Sequence, residues 1–212
     1  MKPEPIEPEA GPHGFSVFAY DYEHAFVDKI YYSTMDSELT QKTKEAVKYV
    51  DVPHNSNLAG NIEKEFLLYE NDYNYLGGLL ESIKNKIFSH CSRILNASPE
   101  DCSLINMWVN FQCKNEFNPI HTHKGTLSFV WYLDIPDEIR SEWKSTKSNS
   151  PTRGCINFIS SLSNNNIVMN PKTNDLFVFR SSQMHQVYPF ESDVTRISIS
   201  GNITITDRSA PK

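Results

Sequence analysis

From Pro99 onward the chain breaks into short apolar runs rich in β-branched and aromatic residues, separated by clusters of Asn, Ser, Pro and Gly. The runs at 103–113, 119–123, 126–134, 153–160, 166–169, 175–180, 185–190 and 195–206 read as strands. Many short strands with turn signals between them restrict the fold to a sandwich, barrel or jelly roll. The intervening stretch 137–152 is hydrophilic and Ser-rich, and it reads as a mobile loop.

The first half has a different character. Residues 1–14 form a Pro/Glu-rich arm without an apolar core, and Phe15–Tyr20 suggests a first strand. A polar helix is expected from about Ser37 to Val50, stopped near Pro53. A longer helix is expected from about Ile62 to Ile94. Leu67, Leu68, Leu76, Leu79, Leu80, Ile83, Ile87 and Phe88 give it an apolar stripe, and Gly77-Gly78 would kink or divide it. The expected architecture is mostly β with N-terminal helices. It is a single domain over 15–212, with helical support at about 35–96 packed on one sheet of a β core at about 100–207.

Composition narrows the classes of function. The formal charge of −6 and the lack of any Lys/Arg block disfavour nonspecific nucleic-acid binding, which needs a basic surface. No apolar run approaches the roughly 20 residues that span a bilayer. The arm does not resemble a signal peptide, and Cys91, Cys102, Cys113 and Cys155 form no C-x-x-C. Reduced thiols and a cytoplasmic location are therefore expected.

The chemistry concentrates on three histidines. His121 and His123 are two apart in an extended segment, where residues i and i+2 share a face, so both imidazoles can reach one metal ion. His185, just after the 175–180 strand, is the third candidate. His13, His24, His54 and His90 lack such context and read as surface or packing residues. Period two places Ser128, Val130 and Tyr132 on one face of their strand, and Phe129, Trp131 and Leu133 on the other. Arg196, Ser198 and Ser200 likewise share a face of the last strand. A guanidinium inside an apolar strand needs a partner. It is either half of a buried ion pair or a clamp for a ligand carboxylate, with Ser198 and Tyr132 adding hydrogen bonds. Asn110 and Gln112 point inward if the parity holds.

Four pieces of the chain, in order, resemble the Fe(II)- and 2-oxoglutarate-dependent oxygenases: Asn118-Pro119-Ile120-His121-Thr122-His123, Leu127 to Leu133, Asn174 to Phe179 leading to His185, and Arg196 to Ser200. They are most similar to a bacterial and phage group related to the prolyl 4-hydroxylase branch. The resemblance implies a double-stranded β-helix (jelly-roll) core. It implies Fe(II) held by His121, His123 and His185, and 2-oxoglutarate as co-substrate with its distal carboxylate on Arg196 beside Ser198. Tyr132 and Ser128 match positions that often contact the co-substrate, and Asn110 and Gln112, inward by parity, could touch the co-substrate or the substrate. It also implies consumption of dioxygen and 2-oxoglutarate, release of succinate and CO2, and hydroxylation of a substrate. Family support is greatest for a prolyl residue in a protein or peptide, with a small molecule as the other option. A phage-encoded copy would act in the host cytoplasm. Loops 137–152 and 114–120 and the N-terminal arm are the candidate substrate contacts. His123 departs from the general pattern, which has a carboxylate there. A three-histidine set suits Zn as well as Fe, and a His in place of a small residue leaves no room for a halide.

Two other readings remain at this stage. A three-histidine zinc enzyme would need a general base, and no Asp or Glu lies in the H-x-H segment. A non-catalytic jelly-roll binding module explains the strands but not Arg196 with Ser198.

Overall fold

The computed structural model describes residues 16–18, 30–71, 73–95, 98–145, 152–160 and 166–206. In chain order the elements are β1 (Ser16–Phe18), β2 (Ile30–Thr34), α1 (Ser37–Ala46), β3 (Lys64–Glu70), β4 (Tyr73–Asn74), α2 (Leu79–Leu95), β5 (Cys102–Gln112), β6 (Asn118–His121), β7 (Leu127–Asp134), α3 (Asp137–Ser145), β8 (Ile156–Ile159), β9 (Asn166–Met169), β10 (Asp175–Arg180), β11 (His185–Val187) and β12 (Arg196–Ile205). The expected arm lies outside the described residues.

The strands form two antiparallel sheets. The larger runs β1-β2-β10-β7-β12-β5-β3-β4 and the smaller β6-β11-β8-β9. The strands from β5 onward make the jelly roll, and α1 and α2 cover the outer face of the larger sheet. Strand β7 shows how sequence parity builds these layers. Phe129, Trp131 and Leu133 join Ile83, Ile87, Met107, Val109 and Ile199 in the core beneath the helices. Val130 and Tyr132 point the other way, into a second core with Ile156, Phe158, Phe177 and Phe179 between the two sheets. Both faces of this central strand are buried, as its apolar run requires.

Three expectations are corrected. Residues 64–70 are strand β3, not the first half of a long helix. This strand adds to the sheet beside β5, and its register shifts between Leu67 and Tyr69. A bulge sets two residues against one and breaks the alternation of two. Leu67 and Leu68 are therefore both buried in succession, which imitates a helical stripe. Second, Gly77-Gly78 does not kink a helix. Gly77 has φ +54°, in the left-handed region open to glycine, and it turns the chain from β4 into α2. Third, the expected loop 137–152 carries α3. This helix hides Ile139 and is tied down by Glu142, which accepts from the backbone N–H of Glu191 at 2.9 Å. Helix α1, the strands after Pro99 and the free cysteines follow the sequence reading. Among the described residues no helix is long and apolar enough to cross a membrane.

Candidate metal centre and co-substrate cavity

His121 is the last residue of β6 and pairs with His185, the first of β11. This pairing brings two imidazoles 64 positions apart in sequence to one end of the smaller sheet. His123 lies just beyond β6. Its backbone N–H donates to the Ser181 carbonyl at 2.8 Å, which fixes the extended segment after the strand ends. Gly125, at φ +104°, then makes the turn into β7, where a Cβ would press on the Ile203 carbonyl. The three ring centroids stand 4.2, 4.8 and 5.0 Å apart, and one ligand atom from each ring lies within 4.8 Å of the others. Nε2 of His123 and Nε2 of His185 are 3.3 Å apart.

The hydrogen bonds of the rings set their chemistry. His121 Nδ1 lies 2.7 Å from the Pro119 carbonyl and His185 Nδ1 lies 2.9 Å from the Gln183 carbonyl. A carbonyl only accepts, so in both rings Nδ1 carries the proton and Nε2 presents a lone pair. Burial lowers the pKa of all three. His123 falls to about 3, with His185 and His121 adding to the shift, and His185 falls to about 4. Neutral imidazoles with convergent lone pairs are the form that binds a divalent cation, so the donor set fits Fe(II).

A cavity runs from these rings between the sheets toward Arg196. Arg196 opens β12 opposite Gln112 and is 2% exposed. It donates to the Gly154 carbonyl at 2.5 Å and to Gln112 Oε1. Its Nε has no partner, and no acidic side chain pairs with it among the described residues. Tyr132 lies beneath the guanidinium at 5.5 Å. Its buried hydroxyl is also without a partner among the described residues, and burial pushes its pKa up to about 12, so it remains an O–H donor. Among the described residues Arg196 therefore forms no buried ion pair. Two orphaned donors, one of them cationic, fit a carboxylate.

The other expected site residues divide. Ser198 lines the cavity beside Arg196. Asn110 lines it too, but its amide is occupied. It accepts from Trp108 Nε1 at 3.1 Å and donates to Ser200 Oγ at 3.2 Å, so it braces β5 against β12. Ser128 is not brought to the cavity. Its hydroxyl bonds Ser181 and Asn202 at 2.9 and 2.8 Å, at the far end of β7 from Tyr132. Gln112 is the residue that holds Arg196. Trp108 was missed, although it shares the parity of Asn110 and Gln112. Its ring packs 5.8 Å from that of His123.

Residues 106–202 match the family described as "Putative 2OG-Fe(II) oxygenase". No curated protein matches the chain. Among solved structures, a prolyl-4-hydroxylase from Pseudomonas putida is 13% identical, with 92% of this chain and 95% of that one covered and a TM-score of 0.55. HygX from Streptomyces hygroscopicus, solved with nickel and 2-oxoglutarate, is 9% identical over 91% of this chain and 83% of its own, at 0.58. A prolyl hydroxylase from Trichoplax adhaerens, in complex with a hypoxia inducible factor peptide fragment, is 13% identical over 94% and 89%, at 0.53. At these identities the structures share the fold. With the family match, they agree with the family that the sequence resembles: the 2OG-Fe(II) oxygenases with a jelly-roll core, whose cofactors are Fe(II) and 2-oxoglutarate.

Proposed function

We propose that the protein is an Fe(II)- and 2-oxoglutarate-dependent dioxygenase that hydroxylates its substrate. One observation carries this reading. Three neutral imidazoles converge at one end of a cavity whose other end holds a buried Arg196 with no countercharge among the described residues. When bound, Fe(II) and 2-oxoglutarate supply activation of dioxygen, with oxidation of 2-oxoglutarate to succinate and CO2 and transfer of one oxygen atom to a substrate C–H bond.

The protein's own contribution is placement. His121, His123 and His185 are the metal ligands, with Pro119 and Gln183 carbonyls orienting two of the rings. Arg196 takes the distal carboxylate of 2-oxoglutarate through Nε and its remaining N–H groups, and the Tyr132 hydroxyl donates a further hydrogen bond. Ser198 lies beside them, and Asn110 braces the wall. Ile156, Val187, Phe179 and Val130 keep the cavity apolar between these poles, which strengthens the charge contacts within it. A prolyl residue in a peptide is the substrate class supported by the prolyl hydroxylases among the structural neighbours.

The test is anaerobic. Addition of Fe(II) and then 2-oxoglutarate is expected to produce a weak visible charge-transfer band, absent in His121→Ala and His185→Ala. A wild-type protein that shows no band and retains zinc tightly would replace this reading with a three-histidine zinc enzyme.

A further inference from the structure

Arg196 is aimed by what lies behind it. Its guanidinium donates to the Gly154 carbonyl and to Gln112 Oε1. Its Cζ stands 5.5 Å from the centre of the Tyr132 ring and 5.9 Å from that of the buried Phe190. Gln112 is held separately, by the Glu116 carbonyl. Gly154, Phe190 and Tyr132 all belong to segments that meet helix α3.

Each of these meetings is specific. Strand β7, which carries Tyr132, ends at Asp134, and α3 begins at Asp137. Gly154 has φ +69°, in the left-handed region open to glycine. Its N–H donates to the Pro189 carbonyl at 3.1 Å. Its remaining side is covered by the buried Ile139 of α3, and a Cβ on Gly154 would collide with Ile139 Cγ2. One helical turn on, the Glu142 carboxylate accepts from the backbone N–H of Glu191 at 2.9 Å, from that of Ser192 at 2.5 Å, and from the Ser192 hydroxyl. Those residues directly follow Phe190. Arg153, the neighbour of Gly154, closes the set. Its Nη1 lies 2.6 Å from Glu191 Oε2 and 3.7 Å from Glu142 Oε2.

The ion pair of Arg153 is partly exposed and adds little stability by itself. The geometry matters more. A guanidinium grips a carboxylate through a planar fork, so its hold depends on direction as well as distance. A binding group must be kept within a fraction of an ångström of its productive place. Helix α3 touches the segment before the carbonyl acceptor and the segment after the Phe190 ring, and it fixes both against each other.

We infer that α3 positions Arg196 for its ligand, with Ile139 and Glu142 as positioning residues that act through Gly154 and Phe190. Naming that ligand as the distal carboxylate of 2-oxoglutarate rests on the oxygenase reading.

Anaerobic titration of the visible band with two keto acids tests the role. One is 2-oxoglutarate. The other is 2-oxopentanoate, which has the same carbon chain and the same chelating end but no distal carboxylate. Glu142→Ala is expected to weaken 2-oxoglutarate by roughly fivefold or more, a modest share of what a full ångström of misplacement costs. Its affinities for 2-oxopentanoate and Fe(II) are expected to stay as in the wild type. Glu142→Gln keeps an acceptor oxygen for the Glu191 and Ser192 N–H groups and is expected to retain most of the affinity. Gly154→Ala drives a Cβ into Ile139 and is expected to show the same selective loss. If it does not fold, the two Glu142 variants decide. Equal weakening of both keto acids is what loss of general stability would give, and it overturns the positioning role. So does unchanged 2-oxoglutarate affinity in Glu142→Ala, or a loss in Glu142→Gln as large as in Glu142→Ala. The two readings fail separately. No band in the wild-type protein overturns the oxygenase and with it the carboxylate for which Arg196 is aimed. A wild-type band with no selective loss in the variants overturns only the role of α3.

Discussion

Arg196 is 2% exposed and Glu65 is 1% exposed, and neither faces an opposite charge among the described residues. The protein surrounds them differently. Arg196 is given two neutral acceptors, the Gly154 carbonyl and the Gln112 amide oxygen, and Gln112 is itself held by donating to the Glu116 carbonyl at 2.6 Å. Glu65 Oε2 is given nothing. The difference follows from the two groups. Burial lowers the pKa of a guanidinium, but its starting value is so high that it stays charged, so its N–H groups must be satisfied. A carboxyl can take up a proton and become neutral, so it tolerates a dry, unpartnered position at a shifted pKa. Arg196 is a permanent charge and Glu65 a conditional one.

The largest effect is expected at the permanent charge. Arg196→Met keeps much of the volume and removes the cation. Breaking a buried charge pair on one side costs roughly 3–5 kcal/mol, so 2-oxoglutarate affinity is expected to fall at least about 100-fold, with metal affinity little changed. Titration of the visible band measures both. An unchanged co-substrate affinity would remove Arg196 from the site.

The conditional charge makes a prediction about stability. The Glu65 carboxyl titrates near 4.5 when exposed and at about 7 in the folded protein. Below 4.5 both states are protonated and nothing is lost. As pH rises from 4.5 to 7 the unfolded chain sheds its proton first, so the folded state loses stability, and the loss is complete above 7. A shift of that size corresponds to on the order of 3 kcal/mol. Glu65→Gln is therefore expected to raise Tm at pH 8 and to leave it nearly unchanged at pH 4. Parallel pH profiles for the two proteins would show that Glu65 is not the titrating group.

Gln112→Leu sharpens the comparison at its support. It leaves one Arg196 N–H without its acceptor, and loss of a hydrogen bond to a charged group is worth about 1.5–3 kcal/mol. KM for 2-oxoglutarate is expected to rise about tenfold, with a smaller change in kcat. The smallest effect is expected for Tyr132→Phe, a few-fold loss of co-substrate affinity, on the order of 1 kcal/mol. Its stability should hold or rise, because the hydroxyl has no partner among the described residues. A clear drop in Tm would mean that this hydroxyl is engaged after all.

Much of the site was legible because strands write their geometry into alternate residues. The parity of Ser128, Val130 and Tyr132 against Phe129, Trp131 and Leu133 predicts the two cores on either side of β7, and the parity of Arg196 and Ser198 predicts their shared face. Parity names a face but not a position along it. Ser128 has the right face and lies too far along β7, where it serves Ser181 and Asn202. Helix α3 was hidden for a related reason. Its residues are mostly polar, and its hold on the fold is Ile139 and the contacts of Glu142.

Beyond the jelly roll, which only the family resemblance implied, the sequence by itself determined the many short strands, the three histidines and the shared face of Arg196 and Ser198. Local spacing and side-chain chemistry suffice for each, since a strand's period and an imidazole's lone pairs do not depend on distant residues. Only the tertiary structure decided that β3 is a strand, that Arg196 has no acidic partner among the described residues, and that Glu65, Asn118 and Gly60 meet. Those facts depend on a bulge formed against β5 and on pairings between segments far apart in the chain. No local pattern encodes them, because the energy that selects them arises only when the sheets close on each other.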